Sequence, residues 1–452
     1  MITAPYYQDK HIGVFGLART GVAAVHALVA SGAKVMAWDD NQQSCKQAGE
    51  FAGNLYDADF SEFDALLLAP GVPLTFPTPH KLVEKAAAND VPLLSDVDVF
   101  QTARDNLAPH KVVAITGTNG KSTTTALIHH IVATLGMPAE MGGNIGTGIL
   151  SLDPLPKKGV YVFELSSFQL ELTQSFDADI AILLNVSPDH LDRHGDMKSY
   201  VAAKARLFEM QSSNRTAVIS VDDEYGLAMA AACNSNIVPI SVQQTVEGGI
   251  YIDDGMLVDD IKGKGRIVGD VADLVALKGV HNWQNAAAAY AACRKLGLKS
   301  KSVYEAMKTF PGLVHRQELV PTKCDFSVVN DSKATNVDAA LRALRTFPRI
   351  RWIAGGRSKD RDFQALANGI SAVRKAYLMG EHGPDIGEAL PDNLLQQKFK
   401  TMQEAVTCAI DDAEEGDTVL LSPACTAFDQ FANFEERGDA FKAQVAATEK
   451  CQ

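Results

Sequence analysis

The chain has 452 residues, of which 46% are hydrophobic and 21% are charged, and its formal net charge is −13. This length exceeds a single hydrophobic core and predicts about three domains. The acidic balance argues against a nucleic-acid or anionic-membrane partner. No apolar run is long enough to span a bilayer, and the first ten residues lack the order of a signal peptide. We therefore expect a cytoplasmic protein without membrane insertion, whose seven scattered cysteines are reduced thiols.

The first predicted elements, over residues 11–38, are a strand, a glycine turn, a helix and a second strand, as in a dinucleotide-binding fold. Gly16 and Gly21 fit the fingerprint of that turn. Ala18 stands where a second glycine would let the backbone approach a pyrophosphate. Asp39 follows the second strand, where an acid can take ribose hydroxyls. The pattern alone is a weak indication of NAD, and we favour a nucleotide or nucleotide-sugar site.

The strongest chemical signal lies at residues 112–123, which read Val-Val-Ala-Ile-Thr-Gly-Thr-Asn-Gly-Lys-Ser-Thr. A strand, a glycine loop and a helix in this order hold phosphates with backbone N–H groups and the positive end of the helix. Lys121 would add charge at the outer phosphates, and Ser122 or Thr123 a hydroxyl for Mg²⁺. Ile115 replaces the first glycine of the common pattern, so the loop is a shortened variant. The alternative is an ordinary glycine-rich turn with a solvated lysine.

Other predicted strands also end in polar or glycine-rich segments. Residues 66–71 end in a Pro-Gly turn that forms either a ligand rim, with Gly71, or a simple break between strand and loop. Residues 141–146 form a second glycine-rich loop. Glu164 ends an apolar strand beside the phosphate loop, where it is either a Mg²⁺ ligand or a cap of the next helix.

The segment from Asp189 to Asp192 follows a further strand. By spacing alone His190 is as much a structural residue as a metal ligand or catalytic group, and the two aspartates are turn or cap residues as readily as ligands. Lys204 lies in an amphipathic helix over residues 200–208. The pattern by itself makes it a surface lysine.

The last third begins near Pro311-Gly312 and predicts a third α/β unit. Lys333 lies in a polar loop, Asn330–Asn336, before a helix, which indicates either an anion site or a capped turn. Arg316 follows the presumed joint, from which its charge could reach a phosphate. Three apolar strands that end in glycine or serine are predicted at residues 351–356, 376–380 and 417–422.

Together these motifs resemble the Mur ligases, the ATP-dependent amide-bond-forming enzymes of bacterial cell-wall synthesis. The shared segments are Gly117–Thr123, Gly143–Gly146, Glu164–Ser167, Asn185–Asp192, the Lys204 helix, Gly279–Asn282 and His315-Arg316. Residues 330–336 and 421–438 resemble the members that add D-glutamate to UDP-N-acetylmuramoyl-L-alanine, and the resemblance covers essentially the whole chain. The Asp-Asn-Pro-Arg type motif of the diaminopimelate- or lysine-adding relatives is not found in the sequence.

The resemblance implies an α/β fold of three domains, each built on a mostly parallel sheet with flanking helices. These are a Rossmann-like UDP-substrate-binding domain at 1–104, a P-loop ATPase centre at 105–312 and a Rossmann-like amino-acid-binding domain at 313–452. It implies ATP and two Mg²⁺ ions as cofactors, for which Mn²⁺ could substitute, and a CO₂-derived carbamate on Lys204. A carbamate offers oxygen ligands where an ammonium would repel Mg²⁺. The implied partners are UDP-N-acetylmuramoyl-L-alanine and D-glutamate, bound by a monomer that closes about a joint near residues 311–316.

The resemblance also implies the residues of each site. Catalytic roles fall on Lys121, Glu164, His190, Lys204 and Arg316. ATP is expected to contact Gly117, Thr118, Asn119, Gly120, Lys121, Ser122, Thr123, Asn282, Arg316 and Asp331. The UDP substrate is expected to contact Leu17, Arg19, Thr20, Asp39, Asp40, Gly71, Asn144 and His190. D-glutamate is expected to contact Lys333, Thr335, Lys359, Ala427, Phe428 and Phe434. The expected metal ligands are Ser122, Glu164, His190 and the carbamate of Lys204.

Three positions depart from the family pattern. Asp40 stands where relatives often have threonine, Gln317 where an apolar residue is common, and Ala427 where a serine can contact the amino acid. Three rival hypotheses stay open. A relative that adds glutamate to folate lacks the N-terminal nucleotide fold, a nicotinamide dehydrogenase leaves the phosphate loop idle, and an ATP switch without enzymatic activity makes Lys204, His190 and Lys333 incidental.

Overall fold

The computed structural model describes residues 1–358 and 362–451, and within these ranges the strands form three sheets. The strands of the first sheet are β1 His11–Phe15, β2 Lys34–Trp38, β3 Ala65–Leu68 and β4 Leu93–Leu94. Its helices are α1 Arg19–Ala30, α2 Gln42–Cys45, α3 Lys81–Ala88 and α4 Asp96–Ala103. The strand order is β2-β1-β3-β4 and every pair is parallel. The carboxyl ends of β1, β2 and β3 therefore share one edge, at which ligands bind in open α/β sheets.

The second sheet contains the phosphate-loop strand. Its strands are β5 His110–Thr116, β6 Ala139–Gly143, β7 Gly159–Glu164, β8 Ile180–Leu183, β9 Thr216–Ser220, β10 Asn236–Ser241, β11 Ile250–Asp253, β12 Met256–Asp259 and β13 Arg266–Asp270. Its helices are α5 Lys121–Thr134, α6 Ser167–Leu172, α7 Leu191–His194, α8 Met197–Glu209, α9 Glu224–Ala232, α10 Val280–Lys295 and α11 Ser300–Lys308. The order is β13-β12-β11-β10-β9-β8-β5-β7-β6, and only the last hairpins, β11 to β13, are antiparallel.

The third sheet has the order β14-β15-β19-β16-β17-β18, and β14 alone is antiparallel. Its strands are β14 Glu318–Leu319, β15 Ser327–Asn330, β16 Ile350–Gly355, β17 Val373–Met379, β18 Leu395–Phe399 and β19 Thr418–Leu421. Its helices are α12 Val337–Thr346, α13 Gly383–Ala389, α14 Met402–Asp411 and α15 Phe434–Ala447. Short 3-10 helices occur at Pro5–Tyr7, Lys46–Phe51, Phe60–Glu62, Arg104–Asn106, Ile149–Ser151, Val271–Asp273, Gln364–Ala372 and Glu449–Cys451.

The central strands of the second sheet are apolar throughout. Strands β7, β8 and β9 have only buried residues, because helices cover both faces of a parallel sheet. Helices α4, α6 and α14 each begin with a capping box, in which Ser95, Ser166 and Thr401 bond the third helical residue reciprocally. Local sequence signals thus determine where these helices begin, and apolar runs determine which strands are buried.

The chain divides into two compact units. One contains residues 1–274 and 280–310, with the first and second sheets, and the other contains residues 275–279 and the chain from Pro311 onward. The predicted α/β class with mostly parallel sheets is confirmed, and the boundaries after residues 104 and 312 stay a prediction. In the described residues no helix is long and apolar enough to cross a membrane.

One prediction about the cysteines is wrong. Cys324 and Cys451 form a disulfide in the second unit, whereas Cys45, Cys233, Cys293, Cys408 and Cys425 are free thiols. The reason is tertiary, since the last 3-10 helix packs Cys451 into the same apolar cluster as Cys324.

Candidate active site

The phosphate loop joins β5 to α5 through two glycines with positive φ, Gly117 at 148° and Gly120 at 86°. A Cβ on Gly120 would lie 2.1 Å from Oδ1 of Asn285, and one on Gly117 would lie 3.1 Å from Leu184. Both positions combine a left-handed backbone with a close neighbour, so they require glycine. The loop is therefore fixed by its surroundings as well as by its sequence.

Asn185, at the end of the neighbouring strand, fixes the shape of this loop. Its backbone carbonyl accepts the N–H of Thr118 at 2.8 Å, and its side-chain oxygen accepts the N–H of Asn119 at 2.9 Å. Lys121 folds over the loop and donates to the carbonyls of Gly117 at 2.8 Å and Thr118 at 2.9 Å. The loop thus presents an ammonium and the start of a helix, which is the chemistry of an anion site.

The first turn of α5 packs against the start of α10. Ser122 and Thr123 are buried there, as is Asn282, whose side-chain oxygen accepts a hydrogen bond from Asn285 at 3.0 Å. Asn285 also lies 3.3 Å from the hydroxyl of Thr124. The sequence analysis did not select Asn285. Its spacing of one helical turn from Asn282 is the signal that could have found it.

Glu164 lies at the carboxyl end of β7, next to β5 in the sheet, and is 3% exposed. One carboxylate oxygen, Oε1, accepts the side-chain amide of Asn144 at 2.7 Å, and the other, Oε2, is buried and has no hydrogen-bond partner among the described residues. The cap of the following helix is Ser166, so Glu164 does not have the capping role that the sequence left open. A buried carboxylate oxygen without a partner is costly unless a cation compensates it.

Lys204 is not a surface residue, as its local pattern had suggested. Its side chain is 1% exposed, and its ammonium nitrogen donates to the carbonyl of Gly117 at 2.9 Å and lies 4.4 Å from the Tyr200 ring centroid. Burial, followed by the charge of Lys121, holds the pKa of Lys204 well below its usual value. The reason for its burial is its place on the inward face of α8, which comprises Tyr200, Ala203, Lys204, Leu207 and Phe208.

His190 occupies the N-cap position of α7 with a left-handed backbone, φ 53°. Its side chain is 50% exposed, lies 3.4 Å from a carboxylate oxygen of Asp189, and packs against the ring of Phe168 at 5.0 Å. The imidazole is therefore oriented by its neighbours while it keeps an accessible side. This placement suits a ligand-binding histidine and leaves the choice between metal and substrate open.

His194 follows one turn later and has the opposite environment. It is buried, and its Nε2 lies 2.9 Å from the hydroxyl of Ser167. Burial, and next the charge of Arg193, lowers the pKa of His194 to about 4, so this imidazole is neutral at neutral pH. The sequence analysis did not single out His194, because no local pattern distinguishes the exposed from the buried member of such a pair.

The four predicted metal ligands can be tested against this geometry. The described residues contain no group of three or more His, Cys, Asp or Glu that could hold a metal ion. Of the four predicted ligands, only Glu164 and His190 are of these residue types. The partnerless oxygen of Glu164, the accessible imidazole of His190 and the buried amine of Lys204, once carbamylated, supply the oxygen and nitrogen donors that a divalent cation needs. The residues therefore fit the implied ion.

At the edge of the first sheet, Asp39 connects two loops. One carboxylate oxygen accepts the N–H of Leu17 at 2.6 Å, and the other accepts the N–H of Asn41 at 2.7 Å. Leu17 is fully buried, and its N–H is the group that Asp39 holds. The other predicted substrate residues at this edge are partly or fully exposed and comprise Arg19, Thr20 and Gly71.

Asp40, which replaces the threonine common in relatives, is tied into a polar chain. The Tyr56 hydroxyl donates to Asp40 at 2.8 Å and lies 3.3 Å from Nε2 of His80. Because Nδ1 of His80 accepts the N–H of Leu82, the other ring nitrogen, Nε2, is the one that can donate to Tyr56. Burial, and next the contact with Asp40, raises the pKa of Tyr56 to about 12, so the chain of donors is directional and ends on the carboxylate.

In the second unit, the residues around Arg316 are fixed by backbone contacts. His315 and Gln317 on either side have positive φ, 64° and 45°. The N–H of Gln317 donates to Asp331 at 3.1 Å, and the carbonyl of His315 accepts the N–H of Lys333 at 3.0 Å. The Arg316 segment and the loop after β15 are therefore one structural assembly.

Asp331 is buried at the end of β15. Its second carboxylate oxygen accepts the hydroxyl of Ser422 at 2.9 Å. Burial raises the pKa of Asp331 to about 7, against the opposing effects of these hydrogen bonds. It is a carboxyl group that titrates near neutrality in the folded protein.

Four of the predicted D-glutamate residues follow the carboxyl ends of neighbouring strands of the third sheet. Lys333 and Thr335 follow β15 and are partly exposed, Ala427 is buried and Phe428 exposed after β19, and Phe434 begins α15. The ammonium of Lys333 lies 5.0 Å from the ring centroid of Phe434. Lys359, the remaining predicted contact, lies outside the described residues.

Arg437, which the sequence analysis quoted only within a shared segment, holds these loops together. Its guanidinium is 1% exposed and donates to the hydroxyl of Ser332 at 3.0 Å, the carbonyl of Ser332 at 2.7 Å and the carbonyl of Thr426 at 3.1 Å. Burial lowers the pKa of Arg437 only to about 10, so it stays charged at neutral pH. It therefore connects the Lys333 loop to the Ala427 loop.

Two family models match the chain, the Mur ligase middle domain over residues 115–293 and the Mur ligase glutamate ligase domain over residues 315–425. The UDP-N-acetylmuramoylalanine--D-glutamate ligase of Phenylobacterium zucineum is 46% identical over 98% of both chains. The ligase of the same name from Rhodospirillum rubrum is 43% identical over 97% of this chain and 95% of its own.

Two solved structures from Thermotoga maritima share the fold. UDP-N-acetylmuramate-alanine ligase MurC has a TM-score of 0.60 at 18% identity and covers 97% of this chain and 99% of its own. MurF ligase in complex with ADP has a TM-score of 0.61 at 15% identity, and the match covers 99% of this chain and 97% of its own. From the near-complete match to its relatives, the chain belongs to the Mur ligase family.

Proposed function

We propose that this protein is an ATP-dependent ligase that adds D-glutamate to UDP-N-acetylmuramoyl-L-alanine in peptidoglycan precursor synthesis, forming ADP and phosphate. The observation that carries the proposal is the juxtaposition of Lys204 with the phosphate loop, through its hydrogen bond to the carbonyl of Gly117. A buried lysine under a phosphate loop has no evident structural purpose. The names of the full-length relatives support the choice of both substrates.

The phosphate loop binds the nucleotide. Backbone N–H groups at the start of α5 and the ammonium of Lys121 supply positive potential where the phosphates lie, while Asn185 holds the N–H groups of Thr118 and Asn119 and so shapes the loop. Lys121 now donates to two loop carbonyls, and phosphate oxygens would replace these weaker acceptors. Asn282, Arg316 and Asp331 remain predicted contacts of ATP.

Lys204 is proposed to carry a carbamate. Its low pKa leaves a fraction of neutral amine, whose lone pair can attack CO₂ and release a proton to give the carbamate anion. Ser122, Glu164, His190 and this carbamate would hold the magnesium ions, which neutralise charge on the transferred phosphoryl group. Asn144 holds Oε1 of Glu164, which leaves Oε2 as the oxygen that would bind the ion.

The reaction that fits these residues proceeds through an acyl phosphate. The alanine carboxylate of the UDP substrate attacks the γ-phosphate of ATP and ADP leaves. The amine of D-glutamate then attacks the acyl carbon, and phosphate leaves with the amide bond formed. Lys121 and Arg316 supply charge for the phosphoryl transfer. Lys333, with the start of the helix after it, suits the distal carboxylate of D-glutamate.

The UDP substrate is proposed to lie at the edge of the first sheet. Asp39, which holds the N–H of Leu17, and Asp40 form one part of that edge, and Gly71 lies in the loop that follows β3. We expect the protein to act as a cytoplasmic monomer. Sedimentation at working concentration tests the oligomeric state.

The decisive experiment is phosphate release from ATP with UDP-N-acetylmuramoyl-L-alanine and one amino acid at a time. We expect release with D-glutamate and none with L-glutamate, L-lysine, meso-diaminopimelate or no amino acid. Release with another amino acid would move the specificity to a sister enzyme. No release with any of them would overturn the proposal.

A further inference from the structure

Arg193 bridges two parts of the first unit that the proposed mechanism uses separately. We call residues 69–80, which follow β3 and include Gly71, the substrate loop. The guanidinium of Arg193, on α7, donates to the carbonyl of Val72 at 2.6 Å and to that of Phe76 at 3.1 Å. Its side chain is 12% exposed. Hydrogen bonds from a charged donor are roughly twice as strong as neutral ones, so these two bonds tie the loop firmly to α7.

The surroundings of Arg193 hold it in this geometry. Its guanidinium lies 3.7 Å from a carboxylate oxygen of Glu171 and 5.4 Å from the ring centroid of Phe168. The other oxygen of Glu171 accepts the hydroxyl of Thr75, a substrate-loop residue, at 3.4 Å. The guanidinium is therefore paired with Glu171 of α6 on one side and hydrogen-bonded to the substrate loop on the other.

The far end of α7 contacts the same loop. Gly195, which ends the helix at φ 84°, lies under the Phe76 ring, and a Cβ there would be 3.3 Å from that ring. His190 caps the beginning of the helix. Because α7 has only four residues, a shift of Arg193 or Gly195 moves His190 with it.

We infer that Arg193 is a positioning residue that couples the UDP-substrate loop to His190, so that the sugar nucleotide and the magnesium-bound nucleotide tighten each other's binding. The inference rests on the proposed function, since it assigns the loop to the UDP substrate and His190 to the metal. By linkage the two ligands must affect each other by the same factor. Nothing in the motif around His190 shows this coupling, because Val72 and Phe76 lie more than a hundred residues earlier in the chain.

The test is a linkage measurement on the whole protein by calorimetry. The dissociation constant of a non-hydrolysable ATP analogue with Mg²⁺ is measured without and with saturating UDP-N-acetylmuramoyl-L-alanine. The wild type is expected to bind the analogue roughly 5- to 150-fold tighter with the UDP substrate present. In Arg193→Met the factor is expected to fall towards unity. Arg193→Lys keeps the charge but loses the planar guanidinium that donates to both carbonyls. Its coupling factor should therefore lie between those of the wild type and Arg193→Met.

Arg206→Met provides the matched control. Arg206 is also a partly buried arginine of the first unit that donates to two backbone carbonyls, Leu170 and Thr173, but these contacts do not involve the substrate loop. Its coupling factor should equal that of the wild type. A loss of coupling in Arg206→Met equal to that in Arg193→Met would show a general packing effect and overturn the assignment.

Two further results would contradict the inference. One is a wild type in which neither ligand changes the affinity of the other, and the second is an unchanged factor in Arg193→Met. If Arg193→Met does not fold, as thermal unfolding would show, Arg193→Lys decides by the same criterion. Failure of the wild type to bind UDP-N-acetylmuramoyl-L-alanine at all would instead overturn the proposed function, so the two failures are distinguishable.

Discussion

Two buried cations, Lys204 in the first unit and Arg437 in the second, occupy equally closed sites and have opposite chemistry. Each is 1% exposed. Arg437 donates three hydrogen bonds, to Ser332 and Thr426, and its pKa stays at about 10. Lys204 donates a single hydrogen bond in the described structure, and its pKa falls well below its usual value. A buried guanidinium with several acceptors keeps its charge and holds a structure, whereas a buried ammonium with one acceptor gives up its proton more readily.

The largest expected effect comes from removing Lys204. Lys204→Met should lower kcat by roughly 10³-fold, because several kcal/mol of charge stabilisation at the phosphoryl group depend on the carbamate. Added short carboxylic acids should restore part of the activity by supplying the missing oxygens. Lys198→Met on the exposed face of the same helix is the control and should keep full activity. Full activity of Lys204→Met would place Lys204 outside the chemistry.

Replacement of Arg437 tests the other half of the comparison. Arg437→Lys keeps a cation but cannot reach both Ser332 and Thr426, so the loops that carry Lys333 and Ala427 should lose their relative position. We expect the KM for D-glutamate to rise about 10- to 100-fold, with the KM for ATP changed much less. Lys442→Met, on the same helix, removes the ion pairs with Glu318 and Asp439 and is the control. An unchanged KM for D-glutamate in a stable Arg437→Lys would contradict the positioning role.

The carboxyl group beside Arg437 gives a pH test. Burial raises the pKa of Asp331 to about 7, above the usual value of about 3.9 for an unfolded chain. The folded state therefore holds the proton more tightly, so the stability that Asp331 contributes is full below about pH 4 and lost as pH rises through 7. The thermal stability of Asp331→Asn minus that of the wild type should therefore increase from pH 4 to 7 and stay constant above pH 7.

Asp417, a second buried carboxylate of the third sheet, is the control for that measurement. Burial raises its pKa, but hydrogen bonds from Arg351 and Arg349 outweigh burial and hold the pKa of Asp417 below its usual value. Its contribution to stability is lost only as pH falls below about 4, by the same linkage. Asp417→Asn should therefore show a constant offset between pH 4 and 7. A constant offset for Asp331→Asn as well would be evidence against the raised pKa.

The smallest expected effect concerns the first sheet. Tyr56→Phe removes the hydroxyl that fixes Asp40, a hydrogen bond of about 0.5–1.5 kcal/mol. The KM for the UDP substrate should rise roughly two- to tenfold, while kcat is maintained. Tyr6→Phe, at an exposed tyrosine of the same region, should leave the KM unchanged. If the KM of Tyr56→Phe for the UDP substrate equals that of the wild type, Asp40 does not contact the substrate.

Much of the fold follows from local sequence. The run from Val112 to Thr123 specifies strand, loop and helix because the apolar run, the two glycines with positive φ and the helix start are neighbours in the chain. The third sheet was likewise predicted at residues 351–356, 376–380 and 417–422, where β16, β17 and β19 occur. Apolar runs that end in glycine or serine are short-range signals, so the residues themselves carry them.

What the sequence by itself determined, then, was the α/β class, the phosphate loop and, through the order of its motifs, the family. The tertiary structure decided the states of the functional groups: the buried amine of Lys204, the partnerless oxygen of Glu164, the neutral imidazole of His194 and the hydrogen-bonded charge of Arg437. These depend on contacts between distant segments, such as that of Lys204 with Gly117, 87 residues apart, and that of Arg437 with Ser332, 105 residues apart. Desolvation and hydrogen-bond saturation arise only when such segments pack, so no local pattern contains them.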